Sequence, residues 1–141
     1  MGAGQVSREV ASEGSVVLRA GRCTFHFSRR RPGVLEVRIE GTDKGQFGTA
    51  ALDEIALAIM RERPIELFID AAKASMPTVA VSREWTRFFS LNRKDLKRVS
   101  VLVSSRSVEL TIAIAKHLSE TGNLIQIYSD PALFEARRSK P

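Results

Sequence analysis

The sequence is short of reactive and membrane-seeking features. It holds one cysteine and two histidines, and no apolar run approaches a bilayer span. A lone cysteine excludes an internal disulfide. Cys23 precedes the strand-like run Thr24-Phe25-His26-Phe27, so it is expected to be a quiet structural thiol. A transmembrane helix needs about 20 mostly apolar residues, so no membrane contact is expected. Residues 1–14 carry no apolar block of the secretory kind. The expected location is cytoplasmic.

The same scarcity limits chemistry. Cys23 and His26 are three apart, which in a strand points them to opposite faces. His117 lies far along the chain, and no cluster of carboxylates completes a set, so no metal and no cofactor are expected. There is no Gly-x-Ser-x-Gly turn to present a nucleophile. Asp53 and Glu54 are adjacent and cannot converge on one helix face. The loop Gly41–Gly48 precedes a helix but lacks the Gly-x-Gly-x-x-Gly order of a dinucleotide cradle. No catalytic residue is assigned, and the expectation is a protein that is not an enzyme.

What is present is an ordinary globular composition. The chain has 141 residues, 43% hydrophobic and 27% charged, which suits one domain with its own core. Its formal charge is +6. The basic residues cluster at Arg29-Arg30-Arg31, at Arg83 and Arg87, at Arg93, Lys94, Lys97 and Arg98, and at Arg137, Arg138 and Lys140. A nucleic-acid surface would interleave exposed aromatics with these charges. Here the aromatics fall on apolar stripes, which favours solvated faces. A basic nucleic-acid or anionic-ligand binding domain is the alternative reading.

Residues 1–14 are small and polar and read as a flexible leader; a single domain is expected over 15–138. Val16–Leu18, Cys23–Phe27 and Val34–Ile39 are strand-like, the last with Leu35, Val37 and Ile39 alternating against Glu36 and Arg38. Thr49 is placed to cap a helix whose apolar stripe is Leu52, Ile55, Ala56, Ile59 and Met60. Ile65–Ile69 is a strand closed by Asp70. A second helix is expected to open near Pro77, with Val81, Trp85, Phe88 and Phe89 on its core face. Val99–Val103 is a buried strand. A third helix is expected from Ser107 to Gly122, then a strand Leu124–Tyr128 and a short helix capped by Asp130. Strands joined through helices pair in parallel. The expected fold is therefore α/β: a mixed sheet, antiparallel at its start, with four helices packed mainly on one face.

This succession resembles the STAS domain of anti-sigma factor antagonists over about Val34 to Arg138. The runs Glu66-Leu67-Phe68-Ile69-Asp70 and Val99-Ser100-Val101-Leu102-Val103 are similar to its central strands. Ile125-Gln126-Ile127-Tyr128-Ser129-Asp130 with Ala132-Leu133 is similar to its last strand and terminal helix. The resemblance implies a non-catalytic regulatory module in bacterial signalling. Its partner would be a protein, an anti-sigma factor or kinase-like regulator, and a homodimer through the early strands stays open. In that family, phosphorylation of one Ser or Thr at the start of the second helix breaks the contact. Here the matching stretch is Ser75-Met76-Pro77-Thr78-Val79-Ala80. Val79 falls on the usual acceptor position and has no hydroxyl, which leaves Thr78 as the candidate phosphorylation site. The implied partner-binding residues are Ser75, Met76, Thr78, Ser82, Arg83 and Arg87.

Overall fold

The computed structural model describes residues 5–104 and 123–140. Seven strands form one sheet in chain order: β1 (Ser7–Val10), β2 (Val16–Ala20), β3 (Cys23–Arg31), β4 (Val34–Gly41), β5 (Ile65–Ala74), β6 (Leu96–Val103) and β7 (Ile125–Tyr128). The first four strands are antiparallel neighbours, and β4 to β7 run parallel. Among the described residues three α-helices are present, not four: α1 (Ala50–Glu62), α2 (Val79–Leu91) and α3 (Pro131–Arg138). The helix expected from Ser107 to Gly122, with His117, lies outside the described residues. One 3-10 turn, Arg93–Asp95, leads into β6.

Strand alternation sorts the residues into two cores. On one face, Cys23, Phe25, Phe27, Leu35, Val37, Leu67, Ile69, Val99 and Val101 pack beneath α1 and α2. Phe25 lies at its centre, stacked on Phe27 and Trp85 and edge-on to Phe47. Burying one such ring is worth about 1.5–3 kcal/mol relative to leaving it exposed. On the opposite face, Val34, Phe68, Leu102 and Phe134 form a smaller cluster beneath α3. Two of the three described helices therefore share one face, as expected, and α3 covers the other. The terminal helix offers a single buried residue, Phe134, and that residue chooses Phe68 and Tyr128.

Three local readings are corrected by the structure. Ser7–Val10, inside the stretch expected to be a leader, pairs with β2 as an edge strand with every residue exposed. In α1 the buried stripe is Ala51, Ile55, Ala58 and Ile59, while Met60 points outward. Alanines let the helix approach the sheet closely, and the larger Met60 is turned to solvent. Thr49 stands at the α1 N-cap, but its hydroxyl bonds the Asp53 carboxylate at 3.1 Å instead of a helix N–H.

Gly41 fixes the end of β4. Its φ is +95°, and a Cβ there would sit 2.5 Å from the Arg22 carbonyl oxygen. Only glycine lets β4 pass this close to the β2–β3 turn. The loop that follows then carries Asp43 to the edge of the larger core.

Candidate functional site

The chain leaves β5 through Ser75, whose N–H donates to the Gly41 carbonyl at 2.9 Å. Thr78 then caps α2. Its hydroxyl oxygen accepts from the Val81 N–H at 3.3 Å, satisfying one of the donors that every helix start leaves over. The helix begins at Val79, so Pro77 precedes the cap and is not a first-turn residue. Its N-terminal approach is held to the β4 loop, where the Thr78 N–H donates to the Asp43 carbonyl at 3.4 Å.

α2 divides cleanly. Val81 and Phe89 are buried, and Trp85 and Phe88 pack half-buried against the larger core. The other side presents Val79, Ala80, Arg83, Glu84 and Arg87 to solvent. Val79, Arg83 and Arg87 recur at four-residue steps and make one outward stripe. Val79 is 61% exposed and Met76 39%, so two apolar side chains stand at the head of a basic stripe. Among the described residues neither Arg83 nor Arg87 makes an ion pair.

Of the residues singled out from the sequence, Ser75, Met76, Thr78, Arg83 and Arg87 are all exposed on this loop and helix. Ser82 is half-buried and turned toward the inner side, where its carbonyl accepts from the Thr86 hydroxyl at 2.9 Å. Among the described residues the cluster Arg93, Lys94, Lys97 and Arg98 makes no ion pair, while the other two basic clusters are spent largely on the fold. Arg29 pairs with Glu62 at 3.1 Å and Arg30 with Glu36 at 3.6 Å. Arg31 donates to the carbonyls of Arg138 and Lys140. Arg137 pairs with Glu66 at 3.0 Å, and Arg138 with Glu36 and Glu135.

The sequence did not disclose a cavity of about 130 Å³ between the inner side of α2 and the carboxyl ends of the parallel strands. Its walls are Ile39, Ile69, Ala71, Val81, Trp85 and Phe89, with Asp43, Ser75, Ser82 and Thr86 supplying the polar groups. Asp43 is 9% exposed. Burial pushes its carboxyl above the usual aspartate range; the Gly45 N–H works against this, and the negative charge of Glu84 adds to it. Burial also pushes the neighbouring Cys23 thiol up to about 11, with Asp43 contributing. That fits the structural role expected for Cys23. A second, polar depression lies on the α3 face, where His26, Arg38 and Asp70 stand in one cross-strand row. Among the described residues, no group of His, Cys, Asp or Glu is arranged to hold a metal. No described helix is long and apolar enough to cross a membrane.

No protein-family model matches the chain, and no curated protein sequence does. Solved structures do match. An anti-sigma factor antagonist from Mycobacterium paratuberculosis superposes with a TM-score of 0.59 at 12% identity, over 92% of this chain and 97% of its own. An uncharacterized protein of the DUF3478 family from Shewanella loihica, with a SpoIIAA-like fold, gives 0.56 at 15% identity, over 92% and 98%. At such identities the likeness is one of fold: this chain has the STAS, SpoIIAA-like fold.

Proposed function

We propose that the chain is a non-catalytic regulatory module that docks a protein partner through the loop and helix spanning residues 75–87. The observation that carries this reading is the outer stripe of α2: an apolar head of Met76 and Val79, followed by Arg83 and Arg87 with no acidic partner among the described residues. Unpaired surface charge next to exposed apolar area is what an interface uses for steering and anchoring. The complementary partner surface is acidic around an apolar socket. The fold shared with an anti-sigma factor antagonist supports a partner of the anti-sigma or kinase-like kind, met in the cytoplasm.

Thr78 is the proposed modification site. The residue is exposed, and its hydroxyl serves as the helix cap. A phosphate there would add about −1.5 to −2 charge at a helix N-terminus, which tolerates it, and beside the docking stripe, where the partner's acids would not. With Val79 at the usual acceptor position, the switch runs through Thr78 or is absent.

Photo-crosslinking tests the surface. A benzophenone side chain replacing Ala80 should crosslink one protein in lysate of the source cells, and the same group replacing Thr24, on the other face, should not. Reversing Arg83 and Arg87 to Glu should weaken capture of that protein by about 10-fold or more. Equal crosslinking from both positions, or capture indifferent to the reversal, would sink the reading.

A further inference from the structure

The cavity beneath α2 is lined from the side of the helix opposite the Val79, Arg83 and Arg87 stripe. We propose that it is a binding site for a small primary amine with a compact apolar body, the ammonium group held by Asp43. The inference does not depend on what the outer side of α2 binds.

Size comes first. About 130 Å³ is slightly less than the 150 Å³ apolar cavity that takes up benzene in an engineered protein. One ring or a short branched chain fills it. Ile69, Val81, Trp85 and Phe89 give that body an apolar lining.

Charge then selects the head group. The protein is basic overall, yet the acid lining this cavity, Asp43, has no cation beside it among the lining residues. Asp43 lines it, and Glu84 on α2 is near enough to act on Asp43 electrostatically. Among the described residues neither acid has an ion-pair partner. One Asp43 oxygen accepts the Gly45 N–H at 2.9 Å, and the other has no bond to a described residue. A carboxylate this buried, repelled by a second acid and lacking a cation, is costly to keep unless something positive joins it. An ammonium group carries three donors. The open Asp43 oxygen can take one, and Ser75 and Ser82, which also line the cavity, bring hydroxyls for the others. An anion would be repelled by the Asp43 carboxylate, and a neutral molecule would leave it unpaired.

Trp85 lines the cavity and is the chain's one tryptophan, so its emission reports occupancy. Benzylamine, benzyl alcohol and benzoate are titrated into the full chain at neutral pH, followed by Trp85 fluorescence and by amide shifts around residues 41–45 and 81–89. Benzylamine should saturate the signal with at least about 10-fold tighter binding than benzyl alcohol, and benzoate should give no response. Asp43→Asn should erase the preference for the amine while leaving the weak binding of the alcohol. Glu84→Gln is exposed and serves if the Asn variant does not fold; it should weaken the amine about 2–3-fold. Three results would each overturn the proposal: no saturable response to benzylamine up to about 10 mM, equal affinity for amine and alcohol, or an amine affinity unchanged in whichever variant folds.

Discussion

The helices α3 and α2, on opposite faces of the sheet, are held in different ways. On the α3 face, Arg137 and Arg138 reach back to Glu66 on β5 and Glu36 on β4, and Arg31 holds the carbonyls at the helix end. Charge there fastens an eight-residue helix whose only buried residue is Phe134. On the α2 face the larger apolar core carries the helices, and ion pairs reach only α1, where Arg8 meets Glu54 at 2.7 Å and Arg29 meets Glu62 at 3.1 Å. Among the described residues α2 itself has no ion pair: Arg83, Glu84 and Arg87 stand on its outer side, and Asp43 lines the cavity on its inner side. Charge fastens the helix that buries one residue, and apolar packing holds α2.

The largest test of this contrast removes an aromatic from each side. Phe134→Ala should cost about 3–5 kcal/mol, because it takes away the sole anchor of α3 and frees the ion pairs that follow it. Trp85→Ala should cost only about 1–2 kcal/mol, since the ring is half-buried against space that already exists. Urea unfolding of both variants measures the difference, and equal losses would erase the distinction between the faces.

Arginine deletions give a smaller version of the comparison. Arg138→Ala removes the closer of two cations from a Glu36 carboxylate whose side chain is only 16% exposed, leaving Arg30 at 3.6 Å. About 1 kcal/mol is expected after allowing for solvent screening. Arg87→Ala, with no partner to strand, should stay within about 0.5 kcal/mol of the parent. A loss at Arg87 equal to that at Arg138 would mean that the outer stripe is structural.

The smallest effect concerns dryness. Cys23 keeps its proton more tightly folded than unfolded, because its pKa is raised from 9.0 to about 11. Stability from this group is whole below pH 9 and is lost as pH rises toward 11. A thiol reagent at pH 8 should therefore label Cys23 only at the rate of unfolding. Rapid labelling of the native protein would show that water reaches the core beneath α2.

Much of this was legible in the sequence, and the misses have physical causes. The alternation in β3, β4 and β5 and the Val81-Trp85-Phe89 stripe follow from burial, and burial is what apolar periodicity records. β1 has no buried side, so Ser7-Arg8-Glu9-Val10 leaves no trace of a strand; backbone pairing alone defines it. In α1, residue size misled: Met60 is more apolar than Ala58, but Ala58 fits against the sheet. The proposed docking residues share one loop and helix, so the sequence alone sets them together. The cavity could not be placed from it, because Asp43, Ile69 and Trp85 meet only through the β4–β5 crossover and the packing of α2. The one local hint was a glycine with positive φ two residues before a buried aspartate.

The strand order has its own consequence for how the molecule is made. Every strand bonds to the one immediately before it in the chain, so no strand is threaded between two already in place. A polypeptide emerging from the ribosome can thus zip its sheet from the first hairpin onward, each new strand finding a finished edge. Arg137 and Arg138 are translated after all seven strands, and they clasp β4 and β5, made far earlier. The clasp can close only once the sheet behind it is built.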